Sequence, residues 1–170
     1  MPDLSVRRGA LDDIMSSSCR IPYEYWNNLA STRPLPAWPE VSLIELPAHV
    51  VQFVRVVDVI DGGDDFVYRF WGTGMVDVTG LERTGQRVSE TGHVRVSQLI
   101  AEYRDVIEEK APSTIAYEAD VEGTGIEGGP LRALTVRLPL ASDGNTVDCV
   151  MSFTDFLSDR ERWRDFFRNR

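Results

Sequence analysis

The chain has 170 residues, 42% of them hydrophobic, and its 18 Lys and Arg stand against 27 Asp and Glu for a net charge of −9. That length suits one domain with terminal extensions, and the apolar share can build a core without disulfide or metal staples. Lys110 is the only lysine and most arginines sit beside acids, so the cation clusters that displace counterions from nucleic acid are missing.

No window approaches the ~18 apolar residues of a bilayer span. Met1 is followed by Pro2, Asp3 and Leu4, not by a basic run and an apolar stretch, so the expectation is a soluble, cytoplasmic protein. Cys19 and Cys149 lie far apart and fit no CxxC spacing. They are expected to be free thiols of a reducing compartment.

Residues 1–20 are weakly patterned; Leu11, Ile14 and Met15 can share one side of a short helix before Ser16-Ser17-Ser18. Pro22 suits a first helical turn, and Tyr25, Trp26, Leu29 and Ala30 recur at helical spacing. Arg33-Pro34-Leu35-Pro36-Ala37-Trp38-Pro39 forbids helix and predicts an extended crossing segment anchored by Trp38. Residues 40–47 have room for one helical turn.

The spacing predicts a first strand over about 50–58. Val50, Val54 and Val56 take one side, and Val51, Phe53, Val57 and Val59 the other. Both sides are apolar, so both need covers. Asp61-Gly62-Gly63-Asp64 is a hairpin turn, since glycine supplies positive φ. In the second strand Phe66, Tyr68 and Phe70 alternate with Val67, Arg69 and Trp71. Gly72-Thr73-Gly74 breaks it, and a short helix from Met75 to Thr79 ends at Gly80. Residues 84–89 form a second short connection.

Residues 97–110 form the best internal helix, with Leu99, Ile100, Tyr103 and Ile107 on one face and Pro112 after its end. Three strands follow, over about 114–121, 131–140 and 146–156. Their apolar faces carry Ile115, Tyr117, Ala119 and Val121; then Leu134, Val136, Leu138 and Leu140; then Val147, Cys149, Met151 and Phe153. Ser158-Asp159-Arg160-Glu161 matches a capping box, opening a last helix with Trp163, Phe166 and Phe167 on its apolar side. The order predicts an α+β fold: an antiparallel sheet of five strands, a helical block crossing one face, and N- and C-terminal flanking helices. It divides into a helical and proline-rich lead-in over 1–48, a domain over 49–156 and a C-terminal helix over 157–170.

Four stretches carry a resemblance. They are Tyr25-Trp26, then Arg33-Pro34-Leu35-Pro36, then Asp65-Phe66-Val67-Tyr68-Arg69-Phe70-Trp71-Gly72-Thr73, and Gly80-Leu81-Glu82-Arg83-Thr84-Gly85. Over roughly residues 21–156 the chain resembles the PAS sensor fold, most sharply a bacterial PAS-like family. The resemblance implies a five-stranded antiparallel sheet with helices over one face, a stand-alone sensory role, and no catalytic residues.

Other chemistry finds less support. Gly62-Gly63-Asp64-Asp65-Phe66 is one carboxylate away from the GGDEF-type turn of diguanylate cyclases, but no upstream acidic metal-binding segment matches it. It is read as a turn with solvated aspartates. Paired Glu108-Glu109 is read the same way. His93 precedes the 97–110 helix near where haem-binding sensors of this fold place an axial ligand, so haem through His93 is the weaker alternative to no cofactor. Four closely spaced zinc ligands are missing. Flavin photochemistry needs a cysteine in a particular helical motif, and neither cysteine fits; Cys149 is read as a small core residue. No Ser/His/Asp arrangement, HExxH or phosphate loop is present.

The expected function is a sensory module that holds a small apolar or carboxylate-bearing ligand under its helices and signals through protein contacts. The pocket candidates are Trp71, Met75, Tyr103, Tyr117 and Met151, with Arg69, Arg137 and His93 as polar contacts. The expected partners are a second copy of the chain, forming a homodimer, and a separate signalling chain, with no nucleic acid or membrane. A ligand-free dimerisation module is the second reading, motivated by apolar surfaces on the first strand, the Trp26 helix and the Trp163 helix that need covers. A small enzyme on an α+β cone-like fold is the third, and would need an acid or base deep in a pocket.

Overall fold

A computed structural model describes residues 4–157 and 159–168. In chain order the elements are β1 (Leu4–Arg8), α1 (Leu11–Met15), α2 (Arg20–Leu29), α3 (Ala48–Val51), β2 (Val54–Ile60), β3 (Asp65–Trp71) and α4 (Thr73–Thr79). These are followed by α5 (Val96–Glu109), β4 (Ser113–Ala119), β5 (Leu131–Leu140), β6 (Cys149–Asp155) and α6 (Arg160–Arg168). Short 3₁₀ turns fill Trp38–Glu40, Leu43–Glu45, Asp61–Gly63 and Val88–Glu90. Ser158, the first residue of the capping box read from the sequence, lies outside the described residues.

The strands form one antiparallel sheet in the order β1-β4-β5-β6-β2-β3. The α+β class is as expected, and β2–β6 make the five strands; β1 adds a sixth. The sequence reading missed β1 because a five-residue, half-exposed edge strand carries little pattern of its own. Its register comes from β4, where Leu4 faces Ala119 and Arg8 faces Ile115.

Pairing sorts the side chains, because residues directly opposite share a face. One face carries the rows Val54–Phe153–Val136 and Val56–Met151–Leu138. The other carries Trp71–Arg55–Ser152–Arg137–Ser113 and Thr154–Thr135–Ile115. Burial on both faces makes β5 almost wholly buried along its length. The apolar face is covered by the N-terminal segment. Trp26 of α2 is buried and donates its indole N–H to the Pro139 carbonyl at 2.7 Å. The extended segment follows, with the Ala141 amide donating to the Pro36 carbonyl at 2.9 Å. Trp26, Trp163 and Phe166 are buried within the chain and Phe167 is partly buried.

Three local expectations are corrected. Residues 48–51 are a helical turn, not the start of a strand: the Val50 and Val51 amides donate to the Pro47 carbonyl at 2.8 and 3.0 Å. Apolar runs of this length read equally as helix or strand. The last strand begins at Cys149, not at residue 146, because the Asp143 carboxylate takes the amides of Asn145 and Thr146 and holds them in a turn. Asp65 is not solvated. It is buried at the start of β3 and accepts from the Phe66 amide, the Ser89 amide and the Ser89 hydroxyl at 2.8, 3.1 and 2.6 Å.

Asp65 therefore ties the 88–90 turn to the sheet. Burial alone would raise its pKa; the Ser89 and Phe66 donors and Arg87 outweigh that and hold it below its ordinary value. A carboxyl depressed in the folded state contributes stability above its unfolded pKa and loses it as pH falls through the folded value. Asp65→Asn is expected to cost on the order of 1–3 kcal/mol at neutral pH and to flatten the loss of stability below about pH 4. Urea midpoints recorded against pH check this; parallel acid limbs for the two proteins would refute it.

Cys19 and Cys149 are both free and buried. Burial pushes each thiol up to about 12. Neither is expected to react with a chromogenic disulfide reagent at pH 8 until the protein is unfolded, when both should titrate. Fast reaction of either in the native protein would count against these packed positions.

Candidate functional site

The helical block does not lie flat on the polar face of the sheet. Its position follows from three local features. β2 and β3 slip register between Val56 and Val57, so Val56 faces Phe70, Val57 faces Tyr68, and Arg69 has no residue opposite. The bulge turns Tyr68 and Trp71 to the same side, where their rings meet edge to face at 4.8 Å. Next, Gly72 starts α4 against the start of β2, with the Gly72 amide donating to the Val54 carbonyl and the Gly74 amide to the Gln52 carbonyl. Gly80, at φ 74°, ends α4 after seven residues. Finally, α5 packs along β5 through Tyr103, whose ring lies 4.7 Å from the Arg137 guanidinium.

These features leave a cavity of about 350 Å³ between sheet and helices. Its apolar wall includes Trp71 and Met75, Leu99 and Tyr103 of α5, and Trp163, Phe166 and Phe167 of α6. The rim carries exposed Leu81 and Val94. The floor is polar. The Thr135 and Thr154 hydroxyls share a hydrogen bond at 2.7 Å, and Arg55 donates to Thr154 at 2.7 Å.

Beside that floor is a buried trio. Glu102 of α5 accepts from Arg137 and from the Tyr117 hydroxyl, the latter at 2.9 Å, and Arg137 also donates to the Tyr117 oxygen at 3.3 Å. Burial raises the Tyr117 pKa above its ordinary value. Burial works against the Arg137 charge, but Tyr117 and Glu102 outweigh it and the guanidinium is held more firmly charged than usual. Glu102 is committed to two donors, which leaves it ill placed to serve as the pocket acid or base that an enzyme would require.

The remaining arginines set the character of the site. Most arginines of the chain are ion-paired to a carboxylate, from Arg7 with Asp13 to Arg164 with Asp77. Arg55, Arg83 and Arg95 make no such pair among the described residues, and all three line the cavity. Arg83 donates to Gln86 and to the Thr91 carbonyl, each at 3.1 Å, and lies over Trp71 at 5.9 Å. Burial lowers its pKa below the ordinary value. Tyr68 is buried and its hydroxyl pKa is raised, chiefly by burial, while Arg55, Arg83 and Arg137 all pull it down.

The structure brings six of the eight sequence-derived candidates to this cavity: Trp71, Met75, His93, Tyr103, Tyr117 and Arg137. Two are elsewhere. Met151 pairs with Val56 and Leu138 on the opposite, apolar face. Arg69, displaced by the bulge, is bonded to Asp58 at 2.8 Å and lies 5.6 Å over the Trp38 ring of the N-terminal segment. His93 sits in the rim segment, its Nδ1 accepting from the Arg95 amide at 3.0 Å. Sequence reasoning missed Arg55, Arg83, Tyr68 and Glu102. Arg55 had one available signal, a lone cation inside a mostly apolar strand.

No described group of His, Cys, Asp and Glu is arranged to hold a metal ion. No described helix is long and apolar enough to cross a membrane.

The fold is α+β, a six-stranded antiparallel sheet with helices packed on it. Among solved structures the chain is similar to the PAS domain of a protein from Colwellia psychrerythraea, at 14% identity, 61% of this chain, 86% of that one and a TM-score of 0.40. It is similar to a fungal LOV domain photoreceptor at 17% identity, covering 86% of this chain and 99% of that one, with a TM-score of 0.45. It is also similar to an RNA-binding light-oxygen-voltage receptor at 12% identity and a TM-score of 0.46, spanning 99% of this chain but 43% of the receptor. No protein-family model matches the sequence, and no curated protein matches it. Neither light, flavin nor RNA is carried over from these likenesses. For photochemistry through a cysteine adduct the residues themselves disagree: neither Cys19 nor Cys149 lines the cavity, and burial holds both as thiols.

Proposed function

We propose that this chain is a sensory module that takes a small molecule into the cavity beneath α4, α5 and α6 and reports its presence through α6. The supporting observation is the cavity itself, about 350 Å³ with an apolar wall and a few convergent polar groups, a size and character typical of small-molecule sites. α6 supplies Trp163, Phe166 and Phe167 to that wall. It is joined to the sheet by the Trp163 indole N–H to the Arg132 carbonyl at 3.0 Å, and to α4 by Arg164 and Asp77. A ligand that touches those rings changes what holds α6 in place. The outer face of α6 would then pass the change to a second copy or to a separate signalling chain.

Two measurements test the proposal on the purified chain. Native mass spectrometry asks whether a molecule co-purifies, and absorbance in the Soret region separates haem on His93 from other ligands. A thermal-shift panel with tryptophan fluorescence follows, since Trp71 and Trp163 both line the cavity. A ligand that raises the melting temperature by several degrees and changes the emission supports the reading. No bound species and no shift across a chemically broad panel would defeat it.

A further inference from the structure

The charge of the cavity is opposite to that of the protein. Its lining holds four arginines (Arg55, Arg83, Arg95 and Arg137) against one carboxylate, Glu102, a formal charge of +3 in a chain of net charge −9. Elsewhere the acids are abundant enough to pair most arginines; here they are withheld from three of the four. The donor count is lopsided too. Arg55 Nε, Trp71 Nε1, Arg137 Nε and Arg137 Nη1 have no hydrogen-bond acceptor among the described residues. A buried donor without an acceptor costs free energy, and a guanidinium without a counter-charge costs more. A molecule that supplies acceptor oxygens and negative charge beside Arg55 and Arg83 offsets the uncompensated charge there, while much of the remaining wall is aliphatic and aromatic.

We infer that the cavity takes an apolar-bodied organic acid, its carboxylate or phosphate head held by Arg55 and Arg83 over the Thr154 hydroxyl and its body against Trp71, Met75 and α6. This rests on the ligand-binding reading above and names the class of ligand. A planar guanidinium matches a carboxylate or phosphate head through parallel N–H···O bonds. Arg83 is already stacked over Trp71, and Arg55 is oriented by Thr154, so neither has to be ordered on binding. Glu102 remains bound to Arg137 and Tyr117, so it does not compete for the other guanidiniums.

Calorimetric titration of the full chain with decanoate, decyl phosphate, decanol and decyltrimethylammonium, all below their micelle-forming concentrations, tests the inference. At least one of the two acids is expected to bind tenfold or more tighter than decanol, and the ammonium compound weakest. Arg83→Gln is expected to weaken the acid about tenfold and leave decanol unchanged, with Arg55→Gln acting likewise. If Arg55→Gln does not fold, half-buried Arg83 decides the question alone. Equal or tighter binding of decanol, or acid affinity indifferent to Arg83→Gln, overturns the inference while leaving a ligand-binding module standing. Failure of all four probes also overturns it. Native mass spectrometry of the purified chain then shows whether the broader reading falls with it, since a co-purified neutral or cationic molecule would preserve that reading.

Discussion

Replacing Glu102 with alanine is expected to destabilise the protein by on the order of 3–5 kcal/mol, because it strands a buried guanidinium. Arg137 is 1% exposed, and Glu102 is its only carboxylate partner among the described residues. Its Nε and Nη1 already lack acceptors among the described residues, and loss of Glu102 leaves it the neutral Tyr117 oxygen at 3.3 Å. The Tyr103 ring at 4.7 Å attracts the cation, but such contacts supply about 2 kcal/mol when desolvated, less than the loss. The Tyr117 hydroxyl also loses its acceptor. Glu102→Gln keeps an acceptor oxygen and is expected to cost less. Removing both charges together, as Glu102→Leu with Arg137→Met, should recover much of the loss, since apolar replacement of a buried pair is often neutral or better. Urea denaturation of the four proteins measures the coupling. A Glu102→Ala midpoint close to that of the parent would mean that Arg137 reaches water or another acid.

Gly72→Ala is the second large effect, expected at roughly 3 kcal/mol or more as severe overpacking, or a fall of roughly 6–12 °C in melting temperature for a domain of this size. The backbone at Gly72 is ordinary, φ −63° and ψ 147°, so conformational strain is not the reason. A Cβ there would run into the Gln52 carbonyl oxygen and lie 2.6 Å from its carbon and 2.9 Å from the Val54 carbonyl oxygen. These are backbone atoms at the start of β2 and cannot swing aside. Two neighbouring glycines act as controls. At Gly74 the clash is with the Phe53 ring at 2.6 Å, a side chain able to shift, so Gly74→Ala should cost less. At Gly80 nothing lies within 4 Å and φ is 74°, so Gly80→Ala should cost only the ~1–2 kcal/mol of a left-handed residue. If Gly72→Ala melts no lower than Gly80→Ala, the close approach of β2 to α4 is not as described.

The glycine-threonine pair that ends the second strand was visible in the sequence as a strand breaker and part of a recognisable motif. Its physical purpose was not, because the atoms that exclude a Cβ belong to Gln52 and Val54 and arrive through the β2–β3 pairing. Periodicity similarly located α5, the hairpin at Asp61–Gly63 and the alternation of β5. It also required covers on both faces of the first strand, and α2 with the extended segment supplies one of them.

Alternation reports which residues share a face, and it was sound for β4, β5 and β6. It cannot report what each face meets. Met151 looked like a pocket residue and instead lies with Phe153 on the apolar face of the sheet, buried. The cavity lies over the other side, where Ser152, Thr154, Thr135, Arg137 and Arg55 stand in adjoining rows. Arg69 and Trp71 looked like neighbours on one face until the bulge left Arg69 with no residue opposite. Arg83 comes from a connection with no periodicity at all. The amino-acid sequence by itself determined an α+β sheet with helices, its turns and its apolar stripes, because these depend on neighbours a few residues apart. Only the tertiary structure decided that the cavity lies between the polar face of the sheet and the helices over it, and that three arginines without acids line it. That outcome depends on pairing register and on contacts between residues as far apart as Arg55 and Thr154.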